Sequence, residues 1–156
     1  MEIRRYVETD AQATLSVFLT AVTETASAHY SAKQIAAWSR PQERNLGAWN
    51  SARKSNTFVV TIGTEVAGFS DVSDDGYIEM MFVAPMFGRR GVASALLAHL
   101  RGTAEAAGTA ELSTDASITA RPFFEQHGFT VIAQQRPITR GVEMTNYRMT
   151  RKICDG

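Results

Sequence analysis

Residues 82–100 read FVAPMFGRRGVASALLAHL and join a strand-like segment to a helix-like one. Pro85 cannot donate a ladder hydrogen bond, so the strand is expected to end there. After two arginines and a glycine, apolar residues return at helical spacing, which predicts a helix from about Arg90 to just before Gly108. Its apolar face comprises Val92, Leu96, Leu97 and Leu100.

The start of this helix has the chemistry of an anion site. Its first amides have no partners within the helix, and the aligned peptide dipoles favour negative charge there. Gly91 has no Cβ, so a phosphate could approach the backbone closely. The segment GRRGVAS is equally compatible with an ordinary turn whose arginines are solvated. The patterns GxxxxGK[ST] and GxGxxG are absent, which disfavours a nucleotide triphosphatase or a Rossmann dehydrogenase.

Composition excludes several classes of protein. The chain has 156 residues, 44% of them hydrophobic and 21% charged, as expected for one globular domain over residues 1–156. Sixteen basic residues balance sixteen acidic ones, so nucleic acid is not an expected partner. No long apolar run or signal peptide is evident, and Cys154 reads as a free thiol on a tail. We expect a cytoplasmic protein without membrane or metal partners.

The remaining pattern predicts the order of elements. Thr9 with Gln12, and Ser31 with Gln34, form possible capping boxes for the first two helices, and Ser117 can cap a later one. Strands are expected over 1–7, 57–62, 66–72, 77–83, 109–114, 129–135 and 142–153, and helices over 9–28, 31–40, 90–107 and 117–127, with a further helical turn near Trp49. The fold class is therefore α/β, with a mixed, mostly antiparallel sheet of about seven strands and about four flanking helices.

Two segments resemble a known family. Residues 83–100, VAPMFGRRGVASALLAHL, resemble motif A, [RQ]xxGx[GA], of the GNAT superfamily of acyl-CoA-dependent N-acetyltransferases, whose loop amides hold the coenzyme A pyrophosphate. Gly91 and Ala93 match its last two fixed positions, whereas Gly88 replaces the opening Gln or Arg. Residues 116–129, ASITARPFFEQHGF, resemble a later segment of the family. The predicted order of elements matches the family along essentially the whole chain.

The resemblance implies acetyl-CoA as a cosubstrate. We expect no metal, because the histidines, His29, His99 and His127, do not have the spacing of metal ligands. In the family a bulged fourth strand, matching residues 81–83, offers a backbone amide to the thioester oxygen and pairs with the pantetheine arm. The coenzyme contacts implied in this chain are Met81, Phe82, Val83, Arg89, Arg90, Gly91, Val92, Ala93, Ser94, Ser117 and Phe124.

Two residues are candidates for proton transfer. Strand alternation would place Tyr77, Glu79, Met81 and Val83 on one face, so Glu79 could act as general base through water. A surface carboxylate is the alternative interpretation of Glu79. Phe124 stands where many family members carry a tyrosine general acid, so that phenol is missing.

Another group must therefore protonate the thiolate. Tyr77 is our candidate, with Tyr30, Tyr147 or water as alternatives. A thiol of pKa near 8.5 leaves readily, so the lost phenol should slow the reaction without preventing it.

The sequence says least about which residues bind the acceptor. Tyr30 and Trp38 lie near the junction of the first two helices and could bind an acceptor or pack on the sheet. We expect an N-acetyltransferase that moves an acetyl group to a primary amine, on a small molecule or a peptide, by direct transfer in a ternary complex. The alternatives are a non-catalytic acyl-CoA-binding or regulatory module, and transfer of a longer acyl group or to an alcohol. The last strands could also join two copies into a homodimer.

Overall fold

A computed structural model describes residues 1–153 of the chain, and Cys154 lies outside the described residues. The ten strands in this range are β1 (Glu2–Arg5), β2 (Thr57–Ile62), β3 (Glu65–Asp71), β4 (Tyr77–Ile78), β5 (Met81–Val83), β6 (Glu111–Ser117), β7 (Thr130–Gln135), β8 (Ile138–Thr139), β9 (Val142–Glu143) and β10 (Asn146–Lys152). The five α-helices are α1 (Ala11–Thr20), α2 (Ala32–Ser39), α3 (Leu46–Arg53), α4 (Val92–Ala106) and α5 (Arg121–Gln126). Across residues 1–153, no helix is long and apolar enough to cross a bilayer.

The strands form two four-stranded sheets and a small hairpin. The first sheet has the order β1-β2-β3-β5 and the second β4-β6-β10-β7, while β8 pairs with β9. All neighbouring strands are antiparallel except β4 and β6, which are parallel. The predicted fold class is confirmed, although the one expected sheet is divided in two. Extra strands arise because residues 77–83 split and because residues 138–143 form their own hairpin.

The split between β4 and β5 corrects the prediction of one strand over residues 77–83. Asp71 Oδ1 accepts the amides of Glu79 at 2.7 Å and Met80 at 3.3 Å, and the Ser70 hydroxyl donates to the Met80 carbonyl at 2.6 Å. These bonds replace a regular ladder, so the chain leaves the second sheet after Ile78 and joins the first at Met81. A wedge therefore opens between β5 and the C-terminal half of β6.

The start of the first helix also differs from the prediction. Helical backbone begins with a 3₁₀ turn over Glu8–Asp10, so Thr9 lies inside the turn and is not a cap. The Asp10 carboxylate instead accepts the Val7 amide and pairs with Arg4, each at 2.8 Å. After α1 the chain continues as a π-helical turn, Ala21–Thr25, and a 3₁₀ turn, Ala26–Ala28. Such π-turns widen a helix locally and occur often at functional sites.

The packing of α4 on the first sheet positions the loop before it. Its predicted apolar face is confirmed, with Leu96 and Leu100 completely buried. Gly68 on β3 permits the close approach of the helix start, because an added Cβ would lie 2.9 Å from both the Phe82 carbonyl oxygen and Val92 Cγ1. The N-terminus of α4 is thereby fixed beside β5.

Candidate active site

The loop between β5 and α4 follows directly from its sequence. Pro85 opens a 3₁₀ turn, Pro85–Phe87, and the buried Phe87 ring anchors it, with the Arg90 guanidinium 5.6 Å from the ring centroid. Arg89 and Gly91 both adopt left-handed backbone, with φ of 62° and 77°. A residue with a Cβ pays roughly 1–2 kcal/mol for that conformation, so only Gly91 adopts it without strain.

The amides at the start of α4 are free within the described residues. The first loop-to-helix bond runs from the Ala95 amide to the Gly91 carbonyl at 3.0 Å, and the amides of residues 89–94 have no acceptor within residues 1–153. In the same part of the chain, neither Arg89 nor Arg90 forms a salt bridge. A Cβ built on Gly91 meets nothing within 4 Å. Free amides, a helix dipole and two unpaired arginines together suit an anion.

Two cavities occupy the wedge between β5 and β6. The smaller, of about 250 Å³, extends from Val83 and Ala93 to the π-helical turn after α1. The larger, of about 350 Å³, contains Glu79 and Asp115. Six residues line both cavities: Trp38, Met81, Phe82, Ser117, Ala120 and Phe124. The two cavities therefore adjoin each other along these residues, one on the loop side and one on the Glu79 side. We call the smaller space the loop-side cavity and the larger one, after the acceptor side that the sequence predicts near Tyr30 and Trp38, the acceptor cavity.

Most of the expected coenzyme contacts lie along this path. The loop-side cavity is lined by Met81, Phe82, Val83, Ala93, Ser117 and Phe124. The loop and helix start contain Arg89, Arg90, Gly91, Val92 and Ser94. The Val92 side chain is buried in the core, so only its backbone faces the loop. The Ser94 hydroxyl lies 3.2 Å from His127 Nε2, whose Nδ1 lies 2.9 Å from the Phe123 carbonyl.

Phe124 and Ser117 also have structural contacts. Phe124 is buried, and its ring centroid lies 5.2 Å from that of Phe123 and 5.0 Å from that of Phe129. The Ser117 hydroxyl accepts the Ala120 amide at 3.0 Å, just before α5 begins at Arg121. Ser117 thus shapes the turn into α5, and Phe124 joins the core to the wall of the wedge.

Glu79 lies at the mouth of the acceptor cavity with its side chain 60% exposed. Its carboxylate is 3.9 Å from the guanidinium of Arg53, whose side chain is only 4% exposed. Arg53 lies over the Trp49 ring at 4.7 Å and also contacts the Met80 sulfur. Beneath them, burial raises the pKa of Asp71 to about 6, although the amide bonds from Glu79 and Met80 act in the opposite direction. The Asp71 carboxylate thus fixes the backbone at Glu79 by accepting hydrogen bonds from the Glu79 and Met80 amides.

Tyr77 is occupied elsewhere. Its hydroxyl donates to Asp115 Oδ2 at 2.9 Å, and Tyr77 is not among the residues that line either cavity. Burial, and then the neighbouring Asp115, raise the pKa of Tyr77 to about 12. Asp115 is further held by Arg148 at 2.9 Å and by Gln135 at 2.8 Å. The Tyr77 hydroxyl is thus engaged with Asp115, and with a raised pKa it is a weaker acid than an ordinary tyrosine.

Tyr30 and Trp38 both line the acceptor cavity, with ring centroids 5.5 Å apart. Tyr30 is buried, and its hydroxyl donates to the Thr145 carbonyl at 2.6 Å and accepts the Ile118 amide at 2.9 Å. The Tyr30 hydroxyl therefore links the backbone at Thr145 to the backbone at Ile118. Trp38 is half-buried and offers its ring to both cavities.

Sequence reasoning missed several residues of the site, among them Arg40, Arg44, Arg53, Asp71 and Asp115. The two arginines of the acceptor cavity flank Pro41 in the segment between α2 and α3, and only the tertiary fold brings them to the wedge. A signal was available for Asp71, which is a carboxylate at the end of a strand whose centre, residues 66–69, is apolar. Within residues 1–153, no group of three His, Cys, Asp or Glu side chains is arranged to hold a metal ion.

Known proteins share this architecture. The profile of the acetyltransferase (GNAT) domain matches residues 26–151. The uncharacterized N-acetyltransferase YafP of Escherichia coli strain K12 is 43% identical over 153 residues, covering 97% of this chain and 96% of that protein. The structure of a GCN5-related N-acetyltransferase from Rhodopseudomonas palustris has a TM-score of 0.92 at 25% identity, covering 97% of this chain and 94% of that one.

A more distant structure supports the fold alone. PaiA N-acetyltransferase from Thermoplasma acidophilum, solved in complex with coenzyme A, has a TM-score of 0.73 at 18% identity and covers 97% of this chain and 98% of its own. The family profile and the E. coli relative each span most of the chain, which confirms the resemblance carried by residues 83–100 and 116–129. The chain therefore belongs to the GNAT family of acetyltransferases and is an acyltransferase enzyme.

Proposed function

We propose that the protein is an N-acetyltransferase that moves an acetyl group from acetyl-CoA to a primary amine, by direct transfer in a ternary complex. The observation that carries this proposal is the run of free amides over residues 89–94, beside a wedge between β5 and β6 that holds two adjoining cavities. The open space beside Gly91 and the unpaired Arg89 and Arg90 suit a diphosphate. The relative from T. acidophilum was solved with coenzyme A, which is consistent with that ligand.

The backbone of β5 supplies the donors for the thioester oxygen. On the two sides of β5, the Ala84 amide donates to the Ala67 carbonyl and the Asp71 amide donates to the Met80 carbonyl. Every second residue from 80 to 84 therefore bonds to β3. By the antiparallel pattern, the amides of Met81 and Val83 point away from β3 and into the wedge. Donors fixed in a partly dry wedge are suited to stabilise the developing oxyanion.

Acetyl-CoA, when bound, supplies an acetyl thioester whose carbonyl carbon gains a bond to the amine nitrogen while the bond to sulfur breaks. Glu79 accepts the proton of the ammonium group, through water, before the nitrogen attacks. The nitrogen loses its second proton as the bond to sulfur breaks, and water in the open wedge carries that proton to the thiolate. The pKa of about 12 for Tyr77, and its bond to Asp115, disfavour Tyr77 as the donor, although its assignment as catalyst remains a prediction.

Thermal unfolding with and without acetyl-CoA tests the proposal. A ligand that binds only the native state at one hundred times its dissociation constant adds about 2.7 kcal/mol of stability, so the midpoint should rise clearly. Release of free thiol with a panel of primary amines, and the mass of the product, then test the transfer and the acyl group. No rise in the midpoint at millimolar acetyl-CoA would overturn the proposal.

The remaining predictions concern the setting of the enzyme. Its membership in an acetyltransferase family favours catalysis over a non-catalytic acyl-CoA-binding module. The cytoplasmic location, the homodimer and the absence of metal, nucleic-acid and membrane partners stay predictions from the sequence.

A further inference from the structure

Two arginines in the acceptor cavity have no carboxylate partner among residues 1–153. Arg40 and Arg44 line the same cavity as Glu79, and no salt bridge involves either of them in this range. The two carboxylates that line the cavity already face arginines. Asp115 is 2.9 Å from Arg148, and Glu79 is 3.9 Å from Arg53. Because Glu79 and Asp115 face Arg53 and Arg148, which do not line the cavity, Arg40 and Arg44 are left without a carboxylate partner.

The two arginines differ in their other contacts. Arg44 donates through Nε to the Ser39 carbonyl at 2.9 Å and through Nη2 to the Trp38 carbonyl at 2.8 Å, and it lies over the Phe18 ring at 4.8 Å. Arg44 thus closes the C-terminal end of α2, which is reason enough for a guanidinium there. The Arg40 guanidinium has no hydrogen-bond acceptor within residues 1–153, and its presence in the cavity has no such structural reason.

The backbone holds Arg40 in a fixed turn. Its φ is 43°, its amide donates to the Ala36 carbonyl at 3.1 Å, and its carbonyl accepts the Glu43 amide at 3.1 Å. Left-handed backbone is strained for an arginine, so the turn is set by its neighbours. Burial lowers the pKa of Arg44, and repulsion from Arg40 and Arg53 lowers it further. A nearby anion would relieve that repulsion.

We propose that Arg40 and Arg44 form an anion subsite in the acceptor cavity, so that the acceptor is a small amine that also carries a carboxylate. The inference rests on the proposed function, because it assigns a class of acceptor to the same site. Arginine is suited to a carboxylate because its planar fork can donate two parallel hydrogen bonds. The cavity of about 350 Å³ has room for a small molecule such as an amino acid. Glu79 then attracts the amino end and Arg40 the carboxylate end.

The test compares matched probes that differ only in the anion. Calorimetric titration in the presence of coenzyme A measures the binding of N-acetylphenylalanine and of N-acetylphenylalaninamide, and thiol release measures turnover of the two parent amines. A second arm compares phosphoethanolamine with ethanolamine, which separates a preference for carboxylate from one for phosphate. The amine of phenylalaninamide is the less basic one, so intrinsic reactivity at neutral pH favours the amide and opposes the expected preference.

Three variants isolate the role of the guanidinium. Arg40→Gln removes the charge and leaves the backbone bonds of the turn, and Arg40→Lys retains the charge. Arg5→Gln is the matched control, because Arg5 is exposed at the end of β1, without a salt bridge in residues 1–153 and outside both cavities. Thermal midpoints of all three, with and without acetyl-CoA, check folding and coenzyme binding.

We expect the wild type to bind the acid roughly ten to one hundred times more tightly than the amide, as a charge-assisted pair allows. Arg40→Gln should reduce that ratio to within about threefold, Arg40→Lys should restore part of it, and Arg5→Gln should leave it unchanged. Equal affinity for acid and amide, no measurable affinity for the acid, a preference for the phosphate probe alone, or an unchanged ratio in Arg40→Gln would overturn the carboxylate subsite. If acetyl-CoA still raises the midpoint, the proposed function survives that result. If acetyl-CoA does not bind, both proposals fail.

Discussion

The Arg53 guanidinium lies 3.9 Å from the Glu79 carboxylate, yet the Arg53 side chain is 4% exposed and the Glu79 side chain 60% exposed. The cation of this pair is therefore buried, and its anion is exposed to solvent. Arg53 is held by the Trp49 ring and the Met80 sulfur, while the carboxylate remains open to water. At 3.9 Å the two groups are beyond hydrogen-bond distance, and water screens the exposed carboxylate, so fold stability gives no strong reason for Glu79. Its place at the mouth of the acceptor cavity is consistent with the proton transfer that we propose.

Glu79→Gln should therefore reduce kcat without unfolding the protein. Loss of a general base costs about 10²–10⁴-fold in rate, whereas an exposed substitution changes the free energy of unfolding by about 0.5 kcal/mol or less. Steady-state thiol release and thermal melts measure the two quantities. Glu143→Gln is a matched control, because Glu143 is 62% exposed and 4.0 Å from Arg136, outside both cavities. Equal kcat values for the two variants would mean that Glu79 is a surface carboxylate without a role in catalysis.

Asp71→Asn should remove a pH-dependent loss of stability. The folded pKa of Asp71, about 6, is above its ordinary value of 3.8, so the folded state holds the proton more tightly than the unfolded state does. A raised carboxyl pKa contributes stability that is fully present below pH 4 and is lost as pH rises through 6, by about 3 kcal/mol. Asparagine keeps an acceptor for the Glu79 and Met80 amides but does not ionise.

The measurement is chemical denaturation of wild type and Asp71→Asn between pH 4 and pH 7. From pH 4 to pH 7, the unfolding free energy of the variant should rise relative to that of the wild type by about 2–3 kcal/mol. Asp75→Asn, at an exposed turn, is the control and should show no such trend. A difference that stays constant with pH would mean that Asp71 titrates normally.

The sequence correctly predicted those elements that depend on residues close together along the chain. The capping box of Ser31 and Gln34 forms as expected, with bonds of 2.9 and 3.1 Å, and β2 has the predicted bounds. The split after β4 depends instead on Asp71, eight residues before Glu79 along the chain, and period-two alternation cannot reveal such a bond. The same break ends the single face on which Tyr77 and Glu79 were expected to lie together.

The loop side of the candidate site could be predicted from the sequence, whereas the acceptor cavity could not. The loop before α4 is encoded in one stretch, so a glycine and a helix start sufficed to predict its free amides. The acceptor cavity is assembled from segments far apart in the chain, such as Arg40 and Asp115, and no spacing in the sequence brings them together. Burial, which only the fold sets, decides the altered pKa of Tyr77 and Asp71.

Tyr77→Phe separates a positioning role from a catalytic one. Asp115 would lose one donor but keep Arg148 and Gln135, so we expect a loss of about 1 kcal/mol in stability and less than a tenfold fall in kcat. Thermal melts and steady-state kinetics provide the two values. A fall in kcat of a hundredfold or more at unchanged stability would restore Tyr77 as the general acid.

Gly91→Ala should weaken coenzyme binding by more than its effect on the fold explains. The added methyl group meets no protein atom within 4 Å, so the cost to the free protein is the strain at a φ of 77°, about 1–2 kcal/mol. Gly141→Ala is the matched control, since Gly141 has a φ of 75°, also has nothing within 4 Å of an added Cβ, and lies in the turn between β8 and β9. Both variants should lose similar stability without ligand. Only Gly91→Ala should then lose most of the acetyl-CoA-induced rise in the thermal midpoint, because its methyl group occupies the space that a diphosphate needs. If both variants keep the full rise, the diphosphate does not lie against this turn.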